Sequence, residues 1–307
     1  MPIKTMTSVM LVGLTAGIAG CGGGGGGGSP PPAPIDAPFT SFQDVQPNHR
    51  YAIPGISQTA SGAINNMGIV MPPATVNPAD TTNSSVTITY DANSIPSVIA
   101  ISTPQSAVTF DKSTGNSLVC SATSCTGTTP TAAGGAINPI GVGWNYQTFG
   151  FWAQTPTSTT WIAGAVSVGA PTPASAVPTT GNATFTGAAG GLYVDSVGNV
   201  MGTAANMTAN VNFTNQTIGF GTSGTTVINS NGSSSSAPTL DLSGTLTYSP
   251  GTNGFSGAVT TADPTNPLNG TATGQFYGPN AQEIGGTYGL SSGTSVSRMV
   301  GAFGGKQ

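Results

Sequence analysis

The sequence predicts an all-β protein in which an irregular antiparallel sheet over residues 38–160 is followed by an eight-stranded antiparallel β-barrel over 161–307. Three observations predict it. Charged side chains are scarce, nine acidic and five basic in 307 residues, yet 37% of the chain is apolar, enough to fill a core. Forty-six glycines and 24 prolines cut the chain into short extended pieces and leave little room for helices. In the second half, apolar residues fall on every other position, the period of a strand with one face buried.

The same composition excludes function classes. A formal charge of -4 gives no basic stripe for phosphate contacts, so nucleic acid is not a partner. His49 is the only histidine and Glu283 the only glutamate, so most acid/base mechanisms lack their groups and the chain reads as a non-enzyme with no cofactor.

Residues 1–20 read as an export signal: Lys4 supplies the positive start, Val9 to Ile18 a short apolar stretch, and Ile18-Ala19-Gly20 the small residues before Cys21. The stretch is too short for a permanent membrane span. This ending resembles the lipobox of bacterial lipoproteins, which implies cleavage before Cys21 and its acylation, with palmitate among the acyl groups. An ordinary signal peptide with a chance cysteine is the alternative. Gly22 in place of aspartate favours the outer membrane.

Residues 21–37 read as a disordered tether. Gly22 to Gly28 and the prolines at 30, 31, 32 and 34 cannot form a core, and they hold the body some tens of Å from the lipid, at about 15 Å for the glycines and about 3 Å per residue beyond. With Cys21 taken by lipid, Cys120 and Cys125 remain as an even pair in an oxidising compartment, which predicts a local disulfide. A metal site would need ligands that are not nearby.

Over 38–160 the strand candidates are Ser85–Tyr90, Val98–Ile101 and Val108–Phe110. From 161 they are Ala165–Val168, Asn182–Thr186, Gly191–Asp195, Met207–Phe213, Ile218–Phe220, Leu240–Tyr248, Phe255–Thr260, Thr271–Tyr277, Gly286–Leu290 and Arg298–Gly304. In Met207–Phe213 the apolar side chains alternate with asparagine and threonine. About eight such strands with internal glycines favour a closed barrel over an open sandwich, because glycine lets bent strands turn corners and closure removes edges. Few aromatics and the separate lipid anchor argue for a water-soluble barrel with an apolar interior.

Other signals have modest readings. Gly219-Phe-Gly-Thr-Ser-Gly224 matches a dinucleotide fingerprint but no helix follows it, so it reads as a turn. Ser230–Ser236 reads as a connecting loop. Trp144, Tyr146, Phe149, Phe151, Trp152 and Trp161 form the one aromatic concentration and are assigned to packing between sheet and barrel, with a ligand platform as the alternative. His49 reads as a solvated loop residue, with haem ligation as the alternative.

Three segments carry a family resemblance. Residues 270–290 read GTATGQFYGPNAQEIGGTYGL, the chain closes with VGAFGGK over 300–306, and 177–187 reads VPTTGNATFTG. In this order, behind a lipobox and a glycine tether, they resemble the lipoprotein family that includes transferrin-binding protein B and factor H-binding protein, over roughly residues 145–307. The resemblance implies that the first sheet is handle-like and that Phe276, Tyr277, Gly278, Pro279, Ala281, Glu283, Gly285, Gly286, Gly301, Phe303 and Gly304 form a structural barrel motif, with Pro279 opening a single helical turn. Chemistry assigns Ala281 to lie against the barrel, the glycines to bends or close approaches, and Glu283 to accept neighbouring backbone N–H groups, together holding the barrel shut. The family further implies a surface lipoprotein that captures a host protein or a nutrient such as haem, helped by a Slam-type translocator and a TonB-dependent receptor. A structural or adhesive envelope lipoprotein is the alternative. The chain is long enough for one lobe of transferrin-binding protein B.

Overall fold

The computed structural model describes residues 33–307, so the export signal, Cys21 and the glycine run lie outside the described residues. Eleven strands form the first sheet: β1 (Ile35–Ala37), β2 (His49–Ile64), β3 (Val70–Val76), β4 (Asp80–Tyr90), β5 (Pro96–Ser102), β6 (Ala107–Asp111), β7 (Ser117–Cys120), β8 (Ser124–Thr128), β9 (Ala132–Ile137), β10 (Gln147–Thr157) and β11 (Thr160–Gly169). Their order is β6-β5-β4-β2-β11-β10-β9-β8-β7, with β1 and β3 also paired to β2. The sheet curls until β6 and β7 approach each other. Phe110 on β6 fills the seam by lying over Gly127 and Gly134, where a Cβ would collide with its ring.

Nine strands follow: β12 (Asn182–Val194), β13 (Val200–Asn212), β14 (Thr217–Ile228), β15 (Ser234–Ser236), β16 (Leu242–Thr247), β17 (Gly254–Thr261), β18 (Asn269–Tyr277), β19 (Glu283–Ser291) and β20 (Arg298–Lys306). All but β15 close into an eight-stranded antiparallel barrel, because β13 pairs with both β12 and β14. The interior is apolar: Phe185, Met207, Ile218, Leu246, Phe276 and Phe303 are each at most 3% exposed and belong to one cluster. Outward positions on β13, β16 and β17, including Asn206, Thr208, Asn210, Thr245 and Ser256, are exposed. A membrane-spanning barrel has the opposite arrangement, apolar outside. The expected eight-stranded barrel with an apolar interior is what forms.

Several boundaries differ from the sequence reading. The tether ends before the expected residue 37, because Ile35–Ala37 pairs in parallel with His49–Tyr51. The barrel starts after the expected residue 161: Trp161–Gly169 lies in the first sheet between β2 and β10, and barrel pairing starts at Asn182. The physical reason is burial on two sides. Trp161, Ala163 and Ala165 face the barrel while Val166 and Val168 face the interior of the first sheet, so β11 has the apolar density of a central strand. The pieces 182–186 and 191–195 are parts of one strand, β12, whose Gly187, Gly190 and Gly191 hid its continuity. Gly219–Gly224 is strand rather than turn, with Gly224 at φ +65° beside the bulge opposite Ala205. Ser234–Ser236 pairs with β14.

Candidate functional site

Where β19 begins, Glu283 enters the interface between barrel and first sheet and is 3% exposed. Its carboxylate accepts three backbone N–H groups, from Asn145 at 2.6 Å and from Tyr146 and Gln147 at 2.9 Å. These donors precede and open β10, 136 to 138 residues upstream, so Glu283 clasps sheet to barrel, whereas the sequence reading had it serve neighbouring residues and hold the barrel shut. Sequence separation concealed the partner: strand pairing places Glu283 at an end of the barrel, and only docking brings the β10 backbone there. Burial pushes its pKa above the usual carboxylate range, opposed by the three N–H donors and by Lys306, its partner in the β19–β20 register. Lys306 Nζ also donates to Gly143 O at 2.9 Å.

The rest of the barrel motif divides between core and junction. Phe276 is fully buried at the barrel centre, with the rings of Phe185, Phe213, Tyr248 and Phe255 at centroid distances of 6.2, 5.9, 5.5 and 5.5 Å. Tyr277 points the other way and its hydroxyl lies 3.0 Å from Ser167 Oγ on β11. Gly278, at φ +86°, donates its N–H to Ala170 O at 2.9 Å, and its carbonyl accepts Thr172 Oγ1 at 2.6 Å. Pro279 sits in a hydrogen-bonded turn rather than the expected helical turn. Ala281 ends that turn at φ +56°, and its side chain is buried in the barrel cluster. Gly285 and Gly304 face Gln147, Gly286 faces Phe303 and Gly301 faces the Tyr288 ring, each so close that a Cβ would collide. Phe303 packs 4.7 Å from Phe220. Arg298 adds a second clasp that sequence reasoning missed, donating Nε and Nη2 to Ala74 O on β3 at 2.9 and 2.7 Å.

Tyr277 makes the junction sensitive to alkali. Burial raises its hydroxyl from 10.0 to about 12, with Ser167 and Gln275 pulling it back. Because the folded value lies above the unfolded one, this contribution is whole below pH 10.0 and is lost as pH climbs through about 12. Tyr277→Phe is expected to flatten stability over that interval, read by denaturant unfolding at stepped pH; an unchanged slope counts against the assignment.

The aromatic concentration splits as well. Trp144, Phe149 and Trp161 pack in the cluster between sheet and barrel and Phe151 packs against it, whereas Trp152 turns into the first sheet. Tyr146 borders the Gly278 turn. His49 opens β2 rather than lying in a loop, with Nδ1 2.8 Å from Pro47 O and its ring stacked on Tyr51 at 6.3 Å. Among the described residues no three His, Cys, Asp or Glu side chains group as metal ligands.

Cys120 and Cys125 form a disulfide at directly paired positions of the β7–β8 hairpin. This bridge lines a chamber of about 470 Å³ inside the first sheet. Val86, Ile88, Ile99 and Ile101 wall it on one side and Leu118 on the other. Its mouth lies between the β4–β5 turn (Ser94–Pro96) and the segments 121–122 and 139–141, the latter in the short helix α1 (Pro139–Val142). At the opposite end, Trp152 Nε1 donates to Ser106 Oγ at 3.2 Å, and Ser106 donates to Gln154 Oε1 at 2.7 Å, which ties the start of β6 to β10.

Residues 177–307 match the family described as C-lobe and N-lobe beta barrels of Tf-binding protein B. The barrel belongs to that family. The match starts at the buried Val177, just ahead of β12, and leaves the first sheet outside it. In three dimensions the chain is similar to a double mutant of transferrin-binding protein B from Haemophilus parasuis, at 15% identity and TM-score 0.44, covering 82% of this chain and 45% of that one. It is also similar to isotype 1 transferrin-binding protein B of serogroup B Neisseria meningitidis, at 16% identity and TM-score 0.39, covering 82% and 43%. A putative outer membrane protein of Bacteroides fragilis aligns at 10% identity and TM-score 0.21, over 83% and 98%. The chain thus spans less than half the length of the two transferrin-binding proteins. No curated protein matches it in sequence.

Proposed function

We propose that this protein is a non-enzymatic binding protein held on the outer membrane by lipid on Cys21 and displayed at the cell surface, where it captures a host protein or a nutrient. The observation that carries the reading is the transferrin-binding-protein-B-type barrel at residues 177–307 behind a lipobox-like Ile18-Ala19-Gly20-Cys21. Under this reading Gly22–Gly28 and the following prolines are a spacer, a Slam-type translocator delivers the chain outward, and a TonB-dependent receptor takes the cargo onward. The clasps at Glu283, Tyr277 and Arg298 hold sheet and barrel as one platform.

The test expresses the full chain and its Cys21→Ala variant in a bacterium with an outer membrane. Labelled palmitate is expected on the wild type and absent from the variant, and protease added to intact cells is expected to remove the wild-type body. Transferrin and haem, immobilised in turn, are the first cargo probes, followed by host fluid. Retention of one component supports capture. Recovery of nothing, with envelope or cohesion defects on deletion, favours a structural or adhesive lipoprotein, a role that the charge-poor Thr, Ser and Asn face of β13, β16 and β17 suits.

A further inference from the structure

The barrel interior is filled, but the first sheet is hollow. Protein cores seldom leave voids much larger than one water, whereas this chamber, at about 470 Å³, is in the range of small-molecule sites. No charged side chain lines it, and its cysteines are locked in the disulfide. The only titratable lining group is Tyr90, whose hydroxyl burial raises well above its ordinary range and so keeps neutral. Water finds few partners in such a space, and a haem finds neither histidine nor thiol.

The mouth carries its own signal. Ile95 and Ile140, on its two sides, are 44% and 49% exposed, while Ser94 offers a hydroxyl at the same rim, the Ser121 hydroxyl being engaged by Ser124 within its own turn. An apolar interior with a polar rim suits an amphiphile that buries its tail and leaves its head in water. The chain also enters the body at this end: Ile35 donates to Asn48 O at 3.0 Å, and Asn48 donates to Asp91 O in the β4–β5 turn at 3.1 Å. Cys21 precedes Ile35 by fourteen residues, a span of at most roughly 50 Å, so lipid carried there is within reach of the opening.

We infer that the chamber of the first sheet is a binding site for one hydrocarbon chain of a fatty acid or lipid. The chain lies among Val86, Ile88, Ile99, Ile101 and Leu118, with its head group at Ser94. The site does not require Cys21 to be acylated; acylation would supply one of two sources, the other being free lipid.

The experiment titrates a fluorescent long-chain fatty acid into the purified full chain and its Cys21→Ala variant, with palmitate as competitor. Saturable binding that palmitate reverses is expected in at least one of them. Binding by both identifies free lipid as the occupant, and binding only after Cys21→Ala identifies the protein's own acyl chain. Ile99→Trp, made in the binding form, projects into the chamber and is expected to weaken binding at least about tenfold, the loss of roughly two buried methylenes. Should Ile99→Trp fail to fold by circular dichroism, Ala122→Trp, at an exposed position on the mouth, takes its place with the same expectation. No binding by either full-length form, or undiminished binding by the folded tryptophan variant, overturns the site.

Discussion

Glu283→Ala is expected to lower the melting temperature by roughly 6–12 °C. The substitution leaves the N–H groups of Asn145, Tyr146 and Gln147 without the acceptor that now sits 2.6 to 2.9 Å away. An unmade buried hydrogen bond costs about 1 kcal/mol or more, so the three together cost about 3 kcal/mol, and each kcal/mol moves the midpoint of a domain this large by about 2–4 °C. Glu283→Gln keeps the shape and one acceptor oxygen but aims an amide N–H₂ at a backbone donor, so its midpoint should fall between those of wild type and alanine. The clasp joins two units with separate cores. Weakening it should therefore separate their unfolding, visible as broadening or splitting of a calorimetric peak. A change of less than about 0.5 kcal/mol in the alanine variant, the range of an ordinary surface substitution, would sink this account of the junction.

Phe276→Ala should cost about 3–5 kcal/mol, the usual range for removing a large aromatic from a packed core. Phe276 is fully buried with four rings around it at 5.5 to 6.2 Å, so the hole it leaves is lined by stiff groups that collapse poorly. The effect belongs to the barrel: near-ultraviolet circular dichroism from its aromatics should weaken, and the denaturant midpoint should drop without Glu283 being touched. Thr208→Ala, on the exposed face of β13, serves as the reference and should stay within about 0.5 kcal/mol of wild type. A loss under about 1 kcal/mol for Phe276→Ala would mean that the aromatic centre is not the main support of the barrel.

Legibility in the sequence followed burial geometry. Where one face meets water and the other a core, as at Met207–Phe213 and Leu242–Thr247, alternation alone locates the strand and names the inward side chains. It found only Ala165–Val168 of β11, buried on both faces, and gave it to the barrel, and it split β12 in two, where Gly187, Gly190 and Gly191 sit against backbone or rings of neighbouring strands and erase the pattern. The turn after Tyr277 was legible as a turn. The helical turn expected there does not form, because Ala281 takes a left-handed conformation that ends any helix after one bend.

By itself the amino-acid sequence determined the all-β class, the barrel with its apolar inside, and the pairing of Cys120 with Cys125. Each of these depends on residue type or on spacing over a few positions, which local chemistry dictates. The tertiary structure alone decided that Glu283 meets the β10 backbone, that Arg298 reaches β3, that β11 serves the first sheet, and that this sheet curls around an apolar chamber. These features depend on how two sheets dock and bend, and contacts between groups more than a hundred residues apart leave no periodic trace in the chain.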